Sequence, residues 1–295
     1  MKKNFFLFLL IFLLSNFFFF SCSSQPKNIR GEINILRTQV ETGLVAANRE
    51  AAMGRFENAL TLLTQHKNTA ILTDDPSLII RVCLSKGNIL YSLEKYDDAY
   101  KEWDFAVKEA IRIKNTELLS VAKIYEARGR LLLIRASAET TIEIQSILNE
   151  VRQLRPNIKK DKLYEAFAWQ VEGMTLRSLR RWNEAEDAIK KSLAIHQKIR
   201  YFENASYDWF VIASIRSLSG EFANAIIALN NSIDFDRRIE NSWGLAASWR
   251  AMGDVYVRAG NSAEARSAYE RSRAIYVLMR HDREVEEIDN KIRNL

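Results

Sequence analysis

Five alanines recur at a regular spacing along the chain, and this repeat constrains the fold more than any other feature of the sequence. They are Ala59, Ala99, Ala185, Ala225 and Ala265, separated by 40, 86, 40 and 40 residues. The interval of 86 residues has room for one further repeat in which the pattern is degenerate. A repeat of this length is one supersecondary unit, which buries its apolar faces only by stacking against its neighbours.

The residues around each alanine predict two packed helices per repeat. A small residue lies twelve positions before the alanine: Ala47, Gly87, Gly173, Ala213 and Gly253. An aromatic residue usually lies three positions before it, and a large apolar one four positions after it: Leu63, Trp103, Ile189, Leu229 and Tyr269. Small residues at crossing points let two helices approach closely, and large apolar residues fill the space between pairs. We therefore expect Trp103, Trp182 and Tyr269 in the core.

The composition also favours helices over strands. The 295 residues include only 10 Gly and 3 Pro, which a strand-rich fold would need in larger numbers for its turns. Three of the glycines are predicted to end the first helix of their repeats: Gly54, Gly220 and Gly260. Pro76 after Asp75 predicts a helix start, and Asn261 with Glu264 predicts a capping box.

This pattern resembles the tetratricopeptide repeat, a helix–turn–helix unit, over roughly residues 40–280. The last repeat matches best, with these residues in family positions: Trp249, Gly253, Tyr256, Gly260, Ala265 and Tyr269. The third repeat, about 118–156, is degenerate, since Thr141 stands where the family has alanine. The resemblance implies an all-α fold, a right-handed α-solenoid of about six repeats with a period of about 40 residues, and a capping helix over 281–295.

The N-terminus predicts export. Lys2 and Lys3 precede a sixteen-residue run from Phe5 to Phe20 that is apolar except for Ser15 and Asn16. As a helix this run is roughly 24 Å long, which is shorter than the ~30 Å core of a bilayer. The following Ser21 and Cys22 resemble the end of a bacterial lipoprotein signal peptide. That resemblance implies that residues 1–21 are removed and that Cys22 carries the acyl chains. An ordinary signal peptide with an incidental cysteine is the alternative.

In the lipoprotein interpretation, residues 22–39 comprise the lipid anchor, a short tether and the start of the first helix. The protein is then expected in the bacterial cell envelope, held on the periplasmic side or at the outer membrane. Without residues 1–21 the chain loses two of its 43 basic residues and none of its 37 acidic ones, leaving a net charge of +4. Both signs are interleaved, so the sequence does not indicate a nucleic-acid partner.

No group of residues in the sequence indicates catalysis. His66, His196 and His281 lie in different repeats without a ligand partner at i+3 or i+4, so no metal site is expected. There is no phosphate-binding glycine loop and no nucleophile motif, and we expect neither enzymatic activity nor a cofactor. Cys83 remains alone once Cys22 is lipidated, so it is expected to be a buried hydrophobe and not part of a disulfide framework.

The tetratricopeptide resemblance implies a concave groove lined by the first helix of each pair. The corresponding positions are Asn88, Tyr91, Glu126, Arg130, Gln170, Met174, Arg177, Tyr207, Phe210, Ser214, Arg250 and Asp254. Aromatic and Met side chains mixed with Arg suit a protein or peptide interface. The alternative is a surface that is only solvated or packed against loops. The charged clamp that chaperone-binding members use for C-terminal carboxylates is absent, because Leu84, Ser85 and Ala127 occupy clamp positions.

These features predict a lipid-anchored scaffold that binds another protein at a bacterial membrane. Two alternatives stay open: an accessory component of a periplasmic solute-binding or transport system that handles a hydrophobic ligand, and a surface-exposed adhesin. Homo-oligomerisation is open as well. The densest basic stretch, from Arg155 to Lys162, is either a solvated loop or a contact for lipid headgroups or an acidic partner, at about 1 kcal/mol per basic residue near an anionic surface.

Overall fold

The computed structural model describes residues 29–134 and 140–295, and within these ranges the chain forms thirteen α-helices and no strand. The helices are α1 (Ile29–Ala52), α2 (Phe56–Leu72), α3 (Pro76–Ser92), α4 (Tyr96–Arg112), α5 (Thr116–Leu133), α6 (Thr140–Leu154), α7 (Lys162–Ser178), α8 (Trp182–Lys198), α9 (Phe202–Leu218), α10 (Phe222–Arg238), α11 (Ser242–Arg258), α12 (Ser262–Met279) and α13 (Asp282–Arg293). A short 3₁₀ helix, Arg155–Asn157, follows α6. The predicted signal peptide and Cys22 lie outside the described residues.

Helices α1 to α12 form six antiparallel pairs, and each pair packs on the next, which confirms the predicted all-α solenoid. The first helix of each pair is called an inner helix (α1, α3, α5, α7, α9 and α11), and the second is called an outer helix. Helix α13 packs on α12 and buries Ile288 beside Tyr276. It thereby covers the last pair at the position predicted for a capping helix.

The degenerate third repeat is longer than the others. Helix α5 begins 40 residues after α3, but α7 begins 46 residues after α5. Part of the additional length is the loop before α7, where one Glu117 carboxylate oxygen accepts hydrogen bonds from the backbone N–H groups of Lys159, Lys160 and Asp161 at 3.0, 2.8 and 3.2 Å. This carboxylate therefore fixes the basic loop against the start of α5.

Three turns between helices contain the predicted glycines, and seven others contain residues for which the sequence predicts no special backbone conformation. Gly54, Gly220 and Gly260 have φ of 75°, 90° and 79°, as their predicted role requires. Seven other turns place a non-glycine residue in the same left-handed conformation: Asp74, Glu94, Lys114, Arg180, Arg200, Glu240 and Arg280. Because ordinary residues occupy these turns, glycine spacing alone could not locate them.

The predicted helix starts had different outcomes. The Asp75 carboxylate accepts hydrogen bonds from the backbone N–H groups of Ser77 and Leu78, and Pro76 is the first residue of α3, which confirms that start. The capping box predicted for Asn261 and Glu264 was wrong, since the Asn261 side chain makes no capping hydrogen bond.

The core contains the large residues that the repeat predicts. Trp103 is fully buried, and Cβ atoms added at Gly87 and Gly129 would lie 2.2 and 2.5 Å from its indole ring. Tyr269 is buried against Gly253 in the same way, whereas Trp182 is only partly buried. The Cys83 side chain is buried as predicted, and burial raises the pKa of its thiol to about 12.

The end of the solenoid packs against its beginning. Trp243 of α11 meets Phe56 of α2 edge to face, with ring centroids 4.9 Å apart. The His281 imidazole is 2.9 Å from the Gly54 carbonyl oxygen, and Arg283 forms an ion pair with Glu94. The inner helices α1 and α11 also contact each other. The superhelix therefore completes a turn, and its inner helices enclose a central surface.

Candidate functional site: the inner surface

Neighbouring inner helices are joined by hydrogen bonds one repeat apart. Their partners lie 37 to 41 residues from each other in the sequence: Arg81 with Glu41, Arg128 with Asn88, Arg177 with Ser214, Arg258 with Ser217, and Lys291 of α13 with Asp254. In these pairs a basic side chain donates to an oxygen of the adjacent helix. Much of the polar inner surface therefore also sets the angle between repeats.

Four predicted groove residues lie together where α7 faces α9. The rings of Tyr207 and Phe210 stack with centroids 6.1 Å apart and an interplanar angle of 16°. Arg177 donates a hydrogen bond to the Ser214 hydroxyl at 3.1 Å. The Tyr207 ring is 37% exposed, so an aromatic surface stands open beside a guanidinium group.

The structure corrects the prediction at two positions of the fourth repeat. Gln170 and Met174 are only 4% and 1% exposed, so neither is available to a partner at the surface. Gln170 donates a hydrogen bond to the Asp208 carboxylate at 2.8 Å, and the Met174 sulfur lies 3.9 Å from the Tyr207 hydroxyl. Both side chains are therefore buried beneath the groove surface, where they contact residues of α9.

A second correction concerns Glu126 and Arg130 in the third repeat. Arg130 forms an ion pair with Glu150 of the outer helix α6, and it borders a cavity together with Tyr100 of α4. Burial raises the pKa of the Glu126 carboxyl, and so do the charges of Asp104 and Glu150. Both residues therefore point toward the outer layer and not toward the groove.

The reason for this correction is a shift of two residues in register. Because α5 begins 40 residues after α3, the residue equivalent to Asn88 is Arg128, which indeed contacts it at 3.3 Å. Two residues rotate a position by about 200° around a helix axis. The inner surface of this repeat is formed instead by Arg128 and by Tyr125, whose ring stacks on Phe167 at 4.2 Å.

The remaining predicted groove residues are engaged by neighbours within the chain. Tyr91 is half-buried against Tyr96 and Trp103, and burial raises the pKa of its hydroxyl to about 12. Asp254 accepts a hydrogen bond from the Tyr269 hydroxyl at 2.6 Å, and Arg250 contacts Glu287 at 3.2 Å. The open part of the predicted groove is thus concentrated at α7 and α9.

A buried polar network that the sequence analysis missed lies between α8 and α9. His196 Nδ1 is 2.6 Å from the Asp208 carboxylate, and the Ser192 hydroxyl donates to the same carboxylate at 3.0 Å. Both His196 and Asp208 are fully buried, and burial raises the pKa of Asp208. Ser192 and His196 lie one helical turn apart in the sequence, but Asp208 joins them only through packing.

This network does not have the geometry of a catalytic triad. In a triad the serine and the carboxylate contact opposite nitrogens of the imidazole. Here the Ser192 hydroxyl lies 3.3 Å from Nδ1, the nitrogen that already contacts Asp208, while Nε2 is buried without a partner. Since no atom of the pair reaches the surface, its role is to hold α8 against α9.

The next repeat carries a related site around Asp236 of α10. One carboxylate oxygen accepts a hydrogen bond from the Asn241 amide at 2.8 Å, and the other is buried without a partner. Burial raises the pKa of Asp236 to about 6, although its hydrogen bond from Asn241 lowers it. The folded state therefore binds a proton at this carboxyl more readily than the unfolded state does.

The stability of the protein is expected to fall as the pH rises from about 4 to about 6, because the unfolded state releases the Asp236 proton first. The loss should be roughly 1 to 3 kcal/mol, and the Asp236→Asn variant should lack it. Urea unfolding across this pH range measures the effect. Asp234→Asn, at an exposed position on the same helix, is the control. An unchanged pH slope in Asp236→Asn would contradict the assignment.

Comparisons with known proteins agree with this architecture. Residues 205–276, which span α9 to α12, match the family model of the tetratricopeptide repeat. The described fold as a whole is an all-α solenoid of tetratricopeptide-like repeats. No curated protein matches the chain in sequence.

Solved structures share this fold at low sequence identity. A Rap protein complexed with Competence and Sporulation Factor is 14% identical over 86% of this chain and 70% of its own, with a TM-score of 0.57. The apo form of RapI is 12% identical over 88% and 72%, with a TM-score of 0.54. BtubC (BKLC) from P. vanneervenii is 11% identical over 82% and 92%, with a TM-score of 0.52. At such identities the similarity shows the fold alone.

Proposed function

We propose that this protein is a scaffold that binds a protein or peptide partner on its inner surface, while a lipid on Cys22 holds it at a bacterial envelope membrane. One observation supports this location of the binding site: the exposed Tyr207–Phe210 stack lies beside Arg177, on a surface enclosed by the six inner helices. Aromatic and Arg side chains in a concave site contribute the most binding energy at protein interfaces. The buried Gln170 and Met174 hold this cluster in place before a partner arrives.

Loss of partner binding is expected when Arg177→Ala, Tyr207→Ala and Phe210→Ala are combined. Each truncation removes a contact of the kind that costs about 2 kcal/mol or more at the centre of an interface, so binding should weaken at least hundredfold. The partner is first captured by crosslinking from membranes that contain the lipidated protein. Its affinity for the purified variant is then measured by calorimetry.

The matched control changes three exposed residues on the outer helices, Gln197→Ala, Ile227→Ala and Glu270→Ala. Both triple variants should keep the helical circular dichroism of the original protein, since neither set is buried in the core. If the inner triple variant binds as tightly as the control, the inner surface is not the site.

The membrane anchor is tested separately through Cys22. The lipidated protein should leave the membrane only with detergent, because several acyl chains anchor a protein stably. The Cys22→Ser variant should leave with a wash in about 1 M salt, which screens any remaining electrostatic contact. Retention of Cys22→Ser after the salt wash would show that the anchor lies elsewhere. The described residues include no helix long and apolar enough to span a membrane.

A further inference from the structure

The solenoid has two edges, and one of them is strongly basic. Because consecutive helices are antiparallel, all inner helices start at one edge, where the connections from outer to inner helices lie. Three consecutive connections on this edge, residues 112–116, 155–162 and 198–202, together contain eight basic residues and one acidic residue. The five described connections of the opposite edge, residues 52–56, 92–96, 178–182, 218–222 and 258–262, together contain five basic and two acidic residues.

Most of this positive charge is not neutralised by acidic side chains. The basic edge is defined here by five exposed side chains: Lys114, Lys159, Lys160, Lys198 and Arg200. Within the described part of the chain none of the five forms an ion pair, whereas their neighbours Arg112, Arg155 and Lys162 pair with glutamates. The one acidic residue, Asp161, caps α7 through the backbone N–H groups of Leu163 and Tyr164.

The backbone fixes the positions of four of these five residues. Lys114 and Arg200 occupy the left-handed position of their turns, with φ of 53° and 59°. Lys159 and Lys160 are fixed through their backbone N–H groups by Glu117, which leaves both ammonium groups in solvent. The spacing of the charges is therefore set by the fold.

Apolar side chains accompany the charges on the same edge. Ile111, Tyr201 and Phe202 are 56%, 44% and 38% exposed, next to Lys114 and Arg200. Tyr and other aromatic residues beside Lys and Arg are typical of surfaces that sit at the headgroup level of a bilayer. The two connections that flank the basic edge, residues 72–76 and 238–242, contain one basic and three acidic residues, so the positive charge is concentrated at its centre.

The first helix projects from this same edge, toward the predicted lipid anchor. Helix α1 has 24 residues and α3 has 17, and α1 starts seven residues before the position equivalent to Pro76. It therefore projects about 10 Å beyond the edge. Cys22 precedes Ile29 by seven residues, at most about 25 Å of extended chain. The predicted lipid thus emerges from the edge that carries the charge.

We propose that the basic edge is a membrane-binding surface for anionic lipid headgroups, with Tyr201 and Phe202 entering the interfacial layer. This orientation directs the opposite edge, and with it one opening of the enclosed inner surface, away from the bilayer. The inference rests on the proposed lipid anchor for orientation only, since the charges would attract an anionic bilayer without it.

The test uses the chain from residue 22 onward with Cys22→Ser, which has no lipid, and vesicles of phosphatidylglycerol mixed with phosphatidylcholine or of phosphatidylcholine alone. We expect sedimentation with the anionic vesicles only, and release as salt is raised. Changing all five basic-edge residues to Glu should weaken binding at least about tenfold. A second variant with Gln at the same five positions keeps the test valid if the Glu variant fails to fold.

The matched control reverses five exposed charges elsewhere, Lys95→Glu, Lys101→Glu, Arg180→Glu, Arg266→Glu and Arg271→Glu, and should keep most of the binding. Equal loss in the control, or equal binding to both vesicle types, would overturn the proposal. Binding to polyglutamate without binding to anionic vesicles would overturn it in favour of an acidic protein partner. A separate measurement tests the anchor: whether the lipidated protein can be extracted from cell membranes only with detergent. Its result does not depend on the outcomes of the vesicle experiment.

Discussion

Trp103→Ala is expected to lower the free energy of unfolding by about 3 to 5 kcal/mol, the range for removing a fully buried large aromatic side chain. Trp103 joins two repeats, because its indole fills the space left by Gly87 of α3 and Gly129 of α5, and its N–H group faces the Leu84 carbonyl oxygen at 3.4 Å. The backbones of α3 and α5 already contact each other, so they cannot move much closer to fill the cavity. Urea unfolding followed by circular dichroism measures the loss.

Ile142→Ala is the control for this variant, since Ile142 in the neighbouring α6 is 78% exposed and should change stability by no more than about 0.5 kcal/mol. Unfolding of a linear repeat array depends on nearest-neighbour interfaces. We therefore expect Trp103→Ala to broaden the transition as well as to shift it. A shift as small as that of Ile142→Ala would mean that Trp103 does not join the two repeats.

Trp243→Ala is expected to open the contact between the two ends of the solenoid. The Trp243 ring packs on Phe56, Tyr276 and His281, with centroids 4.9, 5.4 and 5.0 Å away. Without it, the contacts that remain between the two ends include the packing of α1 on α11, the hydrogen bond from His281 to Gly54 and the exposed Arg283–Glu94 pair. An exposed ion pair contributes about 0 to 1 kcal/mol, which is too little to hold the ends together.

Spin labels at Asn58→Cys and Asp282→Cys, both exposed positions, report the distance between the two ends. The distance distribution should be narrow in the original protein, and longer and broader in Trp243→Ala. Trp249→Ala is the control, because this tryptophan lies in the same helix but contacts Arg271 at 4.6 Å, away from the closure. Identical distributions in all three proteins would show that Trp243 does not maintain the closure.

Opening the ends should also affect binding if the enclosed inner surface is the site. Tyr207 and Phe210 lie on α9, which contacts the α11 helix of Trp243, so a change in partner affinity in Trp243→Ala would pass through the contacts between neighbouring inner helices. The hydrogen bonds between inner helices, such as that from Arg177 to Ser214, are contacts of this kind.

Whether a predicted groove residue faces inward depended on how firmly the register of its repeat could be determined, whereas the burial of Gln170 and Met174 depended on the packing between helices. In the fifth repeat Ala213 and Ala225 define the register, and Tyr207 and Phe210 lie together as expected. In the third repeat the defining alanine is missing, and a shift of two residues exchanged the inner Arg128 for the outer-facing Arg130. The direction of a side chain on a helix can be predicted only when the register is known, because each residue rotates the position by about 100° around the helix axis.

The sequence by itself determined the helical pairs, their number and most of the core, because small and large residues recur at a period that only stacked helices satisfy. Tertiary structure alone decided which polar residues meet. His196 joins Asp208, His281 reaches Gly54 across 227 residues, and the charges of three separate connections come together on one edge. The physical reason is that local spacing dictates periodicity and packing volume, whereas these contacts depend on the small angle between successive repeats, summed over a whole turn of the superhelix.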